Sequence, residues 1–306
     1  MLTFILRRLL QALPVMAGIV LVCFALLKLS GDPTRILAGE RAPDYVRENI
    51  RKKWRLDEPW PKQLAFFVGG LVSGELKSYT HERPVGEMLL EGASVTLRLA
   101  LGAILVAVVL GLLSGIFSAY RPRSALDYAA ATGASIGISI PAFWLAMILT
   151  LIFGVKLGWF PIGSYKAGRP EYLAIPIATL GLITTALIAR LSRSCLLESL
   201  SQDYVRTARA KGLSEVRALL GHAFPNALVP IVTVIGTNLA GLMTGAVLTE
   251  TTCSLPGLGR VIYNAINSRD HPVILGGCLF FALVFVLVNL AVDILYGVLD
   301  PRIRHE

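Results

Sequence analysis

Apolar residues along this chain fall into six long uncharged blocks: Leu9–Leu27, Leu99–Tyr120, Tyr128–Val155, Tyr172–Ala189, Ala223–Thr249 and Pro272–Val292. Each is about 18 residues or longer, the length a helix needs to cross a ~30 Å hydrocarbon core. Open strands cannot serve there, because each unpaired backbone amide costs several kcal/mol in lipid. The pattern predicts an all-α membrane protein with six transmembrane helices. The most distinctive polar stretch, residues 191–226, lies between the fourth and fifth blocks. Within it, Asp203–Lys211 reads as a short helix with Asp203 favourably placed at its positive end. Gly212 can stop that helix in a left-handed conformation. Ser214 can cap a second short helix carrying Val216 and Leu220.

Residues 1–29 then form an N-terminal tail and first span. Residues 30–93 form the one sizeable polar region outside the membrane, 94–298 the main membrane core, and 299–306 a tail. In the polar region Val46, Ile50 and Trp54 recur every fourth position on a helix flanked by Pro43 and Pro59. Trp60, Leu64, Phe67, Val68, Leu71 and Val72 predict a second helix with one apolar face, weakened by Gly69 and Gly70. That face suits a lid packed on the spans; docking of an external partner is the alternative. Gly111, Ser114, Gly115 and Ser118, and Gly133, Ser135, Gly137 and Ser139, have the spacing that lets membrane helices approach closely.

Composition agrees with lipid as the solvent. Of 306 residues only 16% are charged and 55% are hydrophobic, against about 25% charged in a soluble domain. The first block is too long for a signal-peptide core and lacks a small-x-small cleavage site, so an uncleaved span is expected. Arg7, Arg8, Arg121, Arg123, Arg190, Arg193, Arg206, Arg209, Lys211, Arg217, Arg302 and Arg304 fall on one side of the six-span arrangement. The short loops opposite hold only Lys156, Lys166, Arg169, Arg260 and Arg269. The excess places both termini and the 191–226 stretch in the cytoplasm. The net charge of +9 is accounted for by anchoring to anionic lipid, so no nucleic-acid partner is implied. Cys23, Cys195, Cys253 and Cys278 lack CxxC spacing, and neither a metal nor a disulfide framework is expected.

Candidate chemistry within the spans is sparse. Lys28, Arg98, Glu250 and Asp293 lie near span ends, where side chains can snorkel or pair. Asn238 and Asn289 read as interhelical hydrogen bonds. Ser139, Asn238 and Thr244 are pathway candidates on polarity alone. There is no HExxH, GxSxG or phosphate-cradling GxxxxGK[ST], and His81, His222, His271 and His305 have no metal spacing. The chain is not expected to be catalytic, so any energy for transport must come from another chain. The exposed stretch, with Arg206, Arg209 and Lys211 ready to meet acidic groups, is where such a chain would bind; a solvated lipid-binding loop is the alternative.

Thr207-Ala208-Arg209-Ala210-Lys211-Gly212-Leu213, with Pro225 thirteen positions after the glycine, resembles the EAA loop of ABC-importer permeases. The whole chain is similar to the peptide/nickel transport family, first membrane subunit. The similar motifs are Arg7-Arg8-Leu9, Pro14, Gly31-Asp32-Pro33, Leu56-Asp57-Glu58-Pro59, Pro84-Val85, Pro256-Gly257-Leu258-Gly259, Arg269-Asp270-His271-Pro272 and Asp300-Pro301-Arg302. It departs in holding Arg206-Thr207-Ala208 at the loop's Glu-Ala-Ala, His222 downstream, and Gly74-Glu75-Leu76-Lys77 in the external segment. The resemblance implies a type I importer permease in a bacterial inner membrane, with Tyr204, Arg206, Thr207, Ala208, Arg209, Lys211, Gly212 and Leu213 in a cytoplasmic coupling helix. It also implies a second homologous permease, two ATPase subunits that bind ATP and Mg, and an extracytoplasmic solute-binding protein. The implied cargo is a short peptide. Nickel, glutathione or another small solute is the alternative, and a stand-alone secondary transporter or channel a further one.

Overall fold

The computed structural model describes residues 2–29, 31–39, 42–163 and 165–299; the Asp300-Pro301-Arg302 motif, Arg304 and His305 lie outside them. In order the helices are α1 (Leu2–Leu29), α2 (Thr34–Ala38), α3 (Asp44–Lys53), α4 (Trp60–Ser73), α5 (Val85–Tyr120), α6 (Ala125–Ser139) and α7 (Ala142–Leu149). Then come α8 (Ala174–Leu200), α9 (Asp203–Ala210), α10 (Glu215–Ala218), α11 (Phe224–Gly245), α12 (Val247–Thr252), α13 (Leu258–Asn267) and α14 (His271–Leu299). No strand occurs among the described residues; a single bridge joins Lys77 and Pro84.

Five of these helical runs are long and apolar enough to cross a membrane, and a sixth candidate is the pair α6–α7. The third block is not the straight span its composition suggests. It bends by 103° at Ile140, which is extended with φ −84° and ψ 124°. Pro141 explains the break: it lacks an N–H to donate and its ring disfavours helical geometry in the residue before it. Beyond α7 the helix widens to a π-helical stretch, Thr150–Lys156.

By contacts the chain divides into two compact units, Met1–Thr96 with Pro256–Val286, and Leu97–Leu255 with Leu287–Glu306. This division cuts across the segments drawn from sequence, because it follows packing rather than membrane side. In the first unit α3 begins after Pro43 and ends at Trp54, and α4 ends at a left-handed Gly74. Phe67 of the expected α4 face is buried, whereas Trp60 and Val72 are exposed. Phe67 joins Phe24, Trp54, Tyr79, Leu89, Leu258 and Ile262 in the core. Asp270 ties this core together. It accepts hydrogen bonds from the amides of Tyr79 and Thr80 at 3.0 and 3.2 Å and from the Thr80 hydroxyl at 2.8 Å. Burial, then the Asp270 charge, pushes the Tyr79 phenol up from its ordinary pKa.

In the second unit the small residues of α5 do what their spacing predicts. A Cβ on Gly111 would stand 2.8 Å from the Ile188 side chain, and one on Gly115 would stand 2.6 Å from that of Ser192. The α5 and α8 backbones meet because those methyls are missing. Gly137 faces Ala186 in the same way, while Gly133 has nothing near it.

Candidate functional site

The 191–226 stretch starts later than its polarity suggests. Helix α8 runs on to Leu200, because Leu196 is fully buried and packs with Leu219, Ala227 and Ile231. Arg190 and Arg193 are therefore on a span helix rather than in a loop. Arg193 donates to Asp127 at the start of α6, Nε to Oδ1 at 2.6 Å and Nη2 to Oδ2 at 2.8 Å. The Asp127 side chain is only 4% exposed. The same carboxylate accepts from the Arg123 amide at 2.8 Å, and the Asp127 amide donates to the Ser124 hydroxyl at 3.2 Å. Ser124 and Asp127 thus form a variant of the capping box. The Ser-x-x-Asp spacing was the available signal for Asp127, which polarity within the spans did not single out.

After Ser201 and Gln202 the chain turns into α9. Val205 and Ala208 point inward, at 0% and 4% exposure. Val205 packs with Ala218 and Ala223, and Leu200 covers them. The helix ends at Gly212 with φ +87°. The Gly212 amide donates to the Arg209 carbonyl at 2.9 Å and the Leu213 amide to the Ala208 carbonyl at 3.3 Å. These are the two bonds of a Schellman motif, which satisfies carbonyls that a helix end leaves open. Arg209 bridges the turn by donating to Glu215 at 2.8 Å.

The second helix differs from the expected short, separate one. Helix α10 passes through a π-helical turn, Leu219–Ala223, straight into α11. One candidate span therefore covers Glu215–Met243. Pro225 sits in the first turn of α11, where a missing N–H is tolerated and a change in helical register can absorb it. Ser214 occupies the N-cap position of α10, but its side chain makes no capping hydrogen bond.

The outer face of this element is now defined. Tyr204, 41% exposed, and Val216 and Leu220 are apolar groups open to solvent. Arg206 pairs loosely with Asp203 at 3.2 Å, Thr207 donates to the Asp203 carbonyl at 2.9 Å, and Lys211 is exposed. Leu213 is half-buried. Of the predicted set, Ala208 seats the helix while Tyr204, Arg206, Thr207 and Lys211 are displayed. The pathway candidates lie on α6 and α11. Ser139, the last residue of α6, donates to its own helix at Ser135 (2.9 Å), and Asn238 likewise to Val234 (2.7 Å). Thr244 belongs to α11, but its side chain lies outside the described residues.

Residues 94–305 match the family described as binding-protein-dependent transport system inner membrane component, and residues 1–100 match its N-terminal family. The chain belongs to this family. Among its relatives are the di/tripeptide transport system permease protein DppB of Pseudomonas aeruginosa, 40% identical over 335 residues, and the dipeptide transport system permease protein DppB of Escherichia coli K12, 37% identical over 338. Both matches cover 100% of each protein. A solved structure of the inward-facing MetNI methionine ABC transporter shares the fold at a TM-score of 0.59 and 22% identity. That match covers 71% of this chain and 98% of that one. As a member of this family the chain is a multi-pass inner-membrane component of a transport system.

Proposed function

We propose that this chain is one of two permease subunits of an ABC importer for short peptides, and that α9 is its coupling helix. The observation that carries the reading is the split of α9 into two faces. Val205 locks it to Leu200 at the end of α8 and to Ala218 and Ala223 ahead of α11, and Ala208 is buried beside it, while Tyr204, Arg206, Thr207 and Lys211 face solvent. A rigid lever of this kind transmits force between a partner on its outer face and the spans on its inner face. The partners would be a second, homologous permease, two ATPase subunits carrying ATP and Mg, and an extracytoplasmic solute-binding protein. Driving such a pathway from mostly closed to mostly open takes about 5 kcal/mol of differential binding, which ATP binding at the partners would supply. The peptide cargo is supported by the names of relatives matched over their whole length.

The test is reconstitution of the four-part transporter in proteoliposomes with the binding protein present. Dipeptide uptake that requires ATP, and a binding protein that prefers dipeptides to nickel complexes and glutathione, are the expected results. Uptake by this chain alone, without ATPase subunits, would overturn the reading. In sealed cells a cysteine replacing Ser201 should react only with reagents that enter the cytoplasm, which checks that α9 and both termini lie inside.

A further inference from the structure

A cavity of about 310 Å³ lies within the first unit where two candidate spans end. Phe24, Leu27 and Lys28 bring it the last turns of the span Leu10–Leu29, and His271 and Leu275 the first turns of His271–Leu295. Its depth is therefore where hydrocarbon gives way to headgroups. Span side chains supply an apolar wall; the segment after α3 and the start of α4 supply a polar one.

Two polar side chains in that lining are poised for a ligand. Gln63 is 2% exposed. Its Nε2 donates to the carbonyls of Leu56 and Glu58, both at 2.7 Å, so the amide orientation is fixed and Oε1 is left buried without a partner. Nε2 of His271 is buried and unpartnered as well. A buried polar atom left unsatisfied is costly, and a ligand that supplies its partner recovers that cost. Two opposite charges complete the site. Lys28 lies over the Phe24 ring at 5.7 Å, and Asp57, at an exposed position, lines the same cavity. Asp32, also in the lining, is already engaged by Arg51.

We propose that this cavity holds the headgroup of an aminophospholipid. The phosphodiester faces Lys28, the primary ammonium faces Asp57 and Gln63 Oε1, and the glycerol and first acyl carbons rest on Phe24, Leu27 and Leu275. A choline headgroup has no N–H to donate, and a glycerol headgroup has no cation for Asp57. A dipeptide shares the two charges but has no acyl chain for the apolar wall. The inference concerns a site separate from α9 and stands whether or not the cargo is a peptide.

The test is native mass spectrometry of the delipidated, purified transporter titrated with phosphatidylethanolamine, phosphatidylcholine or phosphatidylglycerol. Wild type should retain phosphatidylethanolamine about tenfold better than phosphatidylcholine, the worth of one charge-assisted hydrogen bond. Asp57→Asn, at an exposed position, should bring the two to parity, and Lys28→Gln should weaken all three lipids alike. Excess dialanine should displace none of them. Equal retention of the two lipids by wild type, an unchanged preference in Asp57→Asn, or displacement by dialanine would each overturn the proposal.

Discussion

Arg193 of α8 and Asp127 of α6, 66 positions apart, form a two-pronged ion pair with bonds of 2.6 and 2.8 Å. The pair pins the α5–α6 turn to the helix that leads directly into α9. It places a fixed point on the part of the bundle that the proposed lever must move.

Removing one partner should therefore cost stability. A buried pair that loses one member typically costs 3–5 kcal/mol, and with Arg193 about a third exposed a value of about 2 kcal/mol is expected. Arg193→Met alone should lower the thermal midpoint of the purified transporter. Asp127→Leu combined with Arg193→Met should recover part of the loss, measured as a double-mutant cycle.

Gly212 should tolerate only residues that accept left-handed geometry. Nothing lies within 4 Å of where its Cβ would be, so the cost is backbone strain, about 1–2 kcal/mol for most residues. Gly212→Leu should reduce peptide uptake relative to ATP hydrolysis in proteoliposomes, and Gly212→Asn should stay close to wild type. Equal coupling in both variants would remove the Schellman turn from the mechanism.

The outer face of α9 should be chemically open and its inner face closed. Cysteine at Tyr204 should be alkylated quickly in the isolated permease and should crosslink to an ATPase subunit in the full complex. Cysteine at Ala208 should react slowly in both settings. Comparable rates at the two positions would contradict the two-faced helix.

Close packing of α5 on α8 should fail when the missing methyl is restored. Gly115→Val would bring a Cβ within 2.6 Å of Ser192 and 3.0 Å of the Ala189 carbonyl. Overpacking of this kind costs about 1–3 kcal/mol. The same change at Gly133, with nothing within 4 Å, should be far milder. Thermal midpoints of the two variants check the contrast.

The segment from Asp32 to Arg51 should weaken in strong acid. Burial alone would raise the Asp32 pKa, but the hydrogen bonds and charge of Arg51, with bonds from Thr34, hold it down at about 2. A depressed carboxylate contributes stability that is complete above its unfolded pKa of about 4 and fades as pH falls towards about 2. Arg51→Ala should reduce that dependence in proteolysis assays of this segment between those pH values.

Local chemistry was legible before any coordinates. The stop at Gly212 follows from one residue that can adopt φ +87°, and α3 starts after Pro43 as its flanking proline predicts. The bend at Ile140 was partly legible, since Pro141 marks it, but whether proline kinks a membrane helix or breaks it depends on the surrounding packing. The direction each α9 side chain takes was not legible. Val205 and Tyr204 are neighbours in the chain, and only the positions of Leu200, Ala218 and Ala223 decide that Val205 is the covered one.

By itself the sequence determined the solvent, the helical class, five of the long apolar helices and the place where α9 stops, because long apolar runs and a helix-stopping glycine act through near neighbours. Tertiary structure alone decided that Arg193 is a structural partner of Asp127 rather than a free surface charge. It also decided that α10 is fused to the span α11, and that Gln63 keeps an unpaired oxygen in a cavity at the ends of two spans. These relationships join residues far apart in the chain. Their energies depend on distance and burial, which no local pattern of residues encodes.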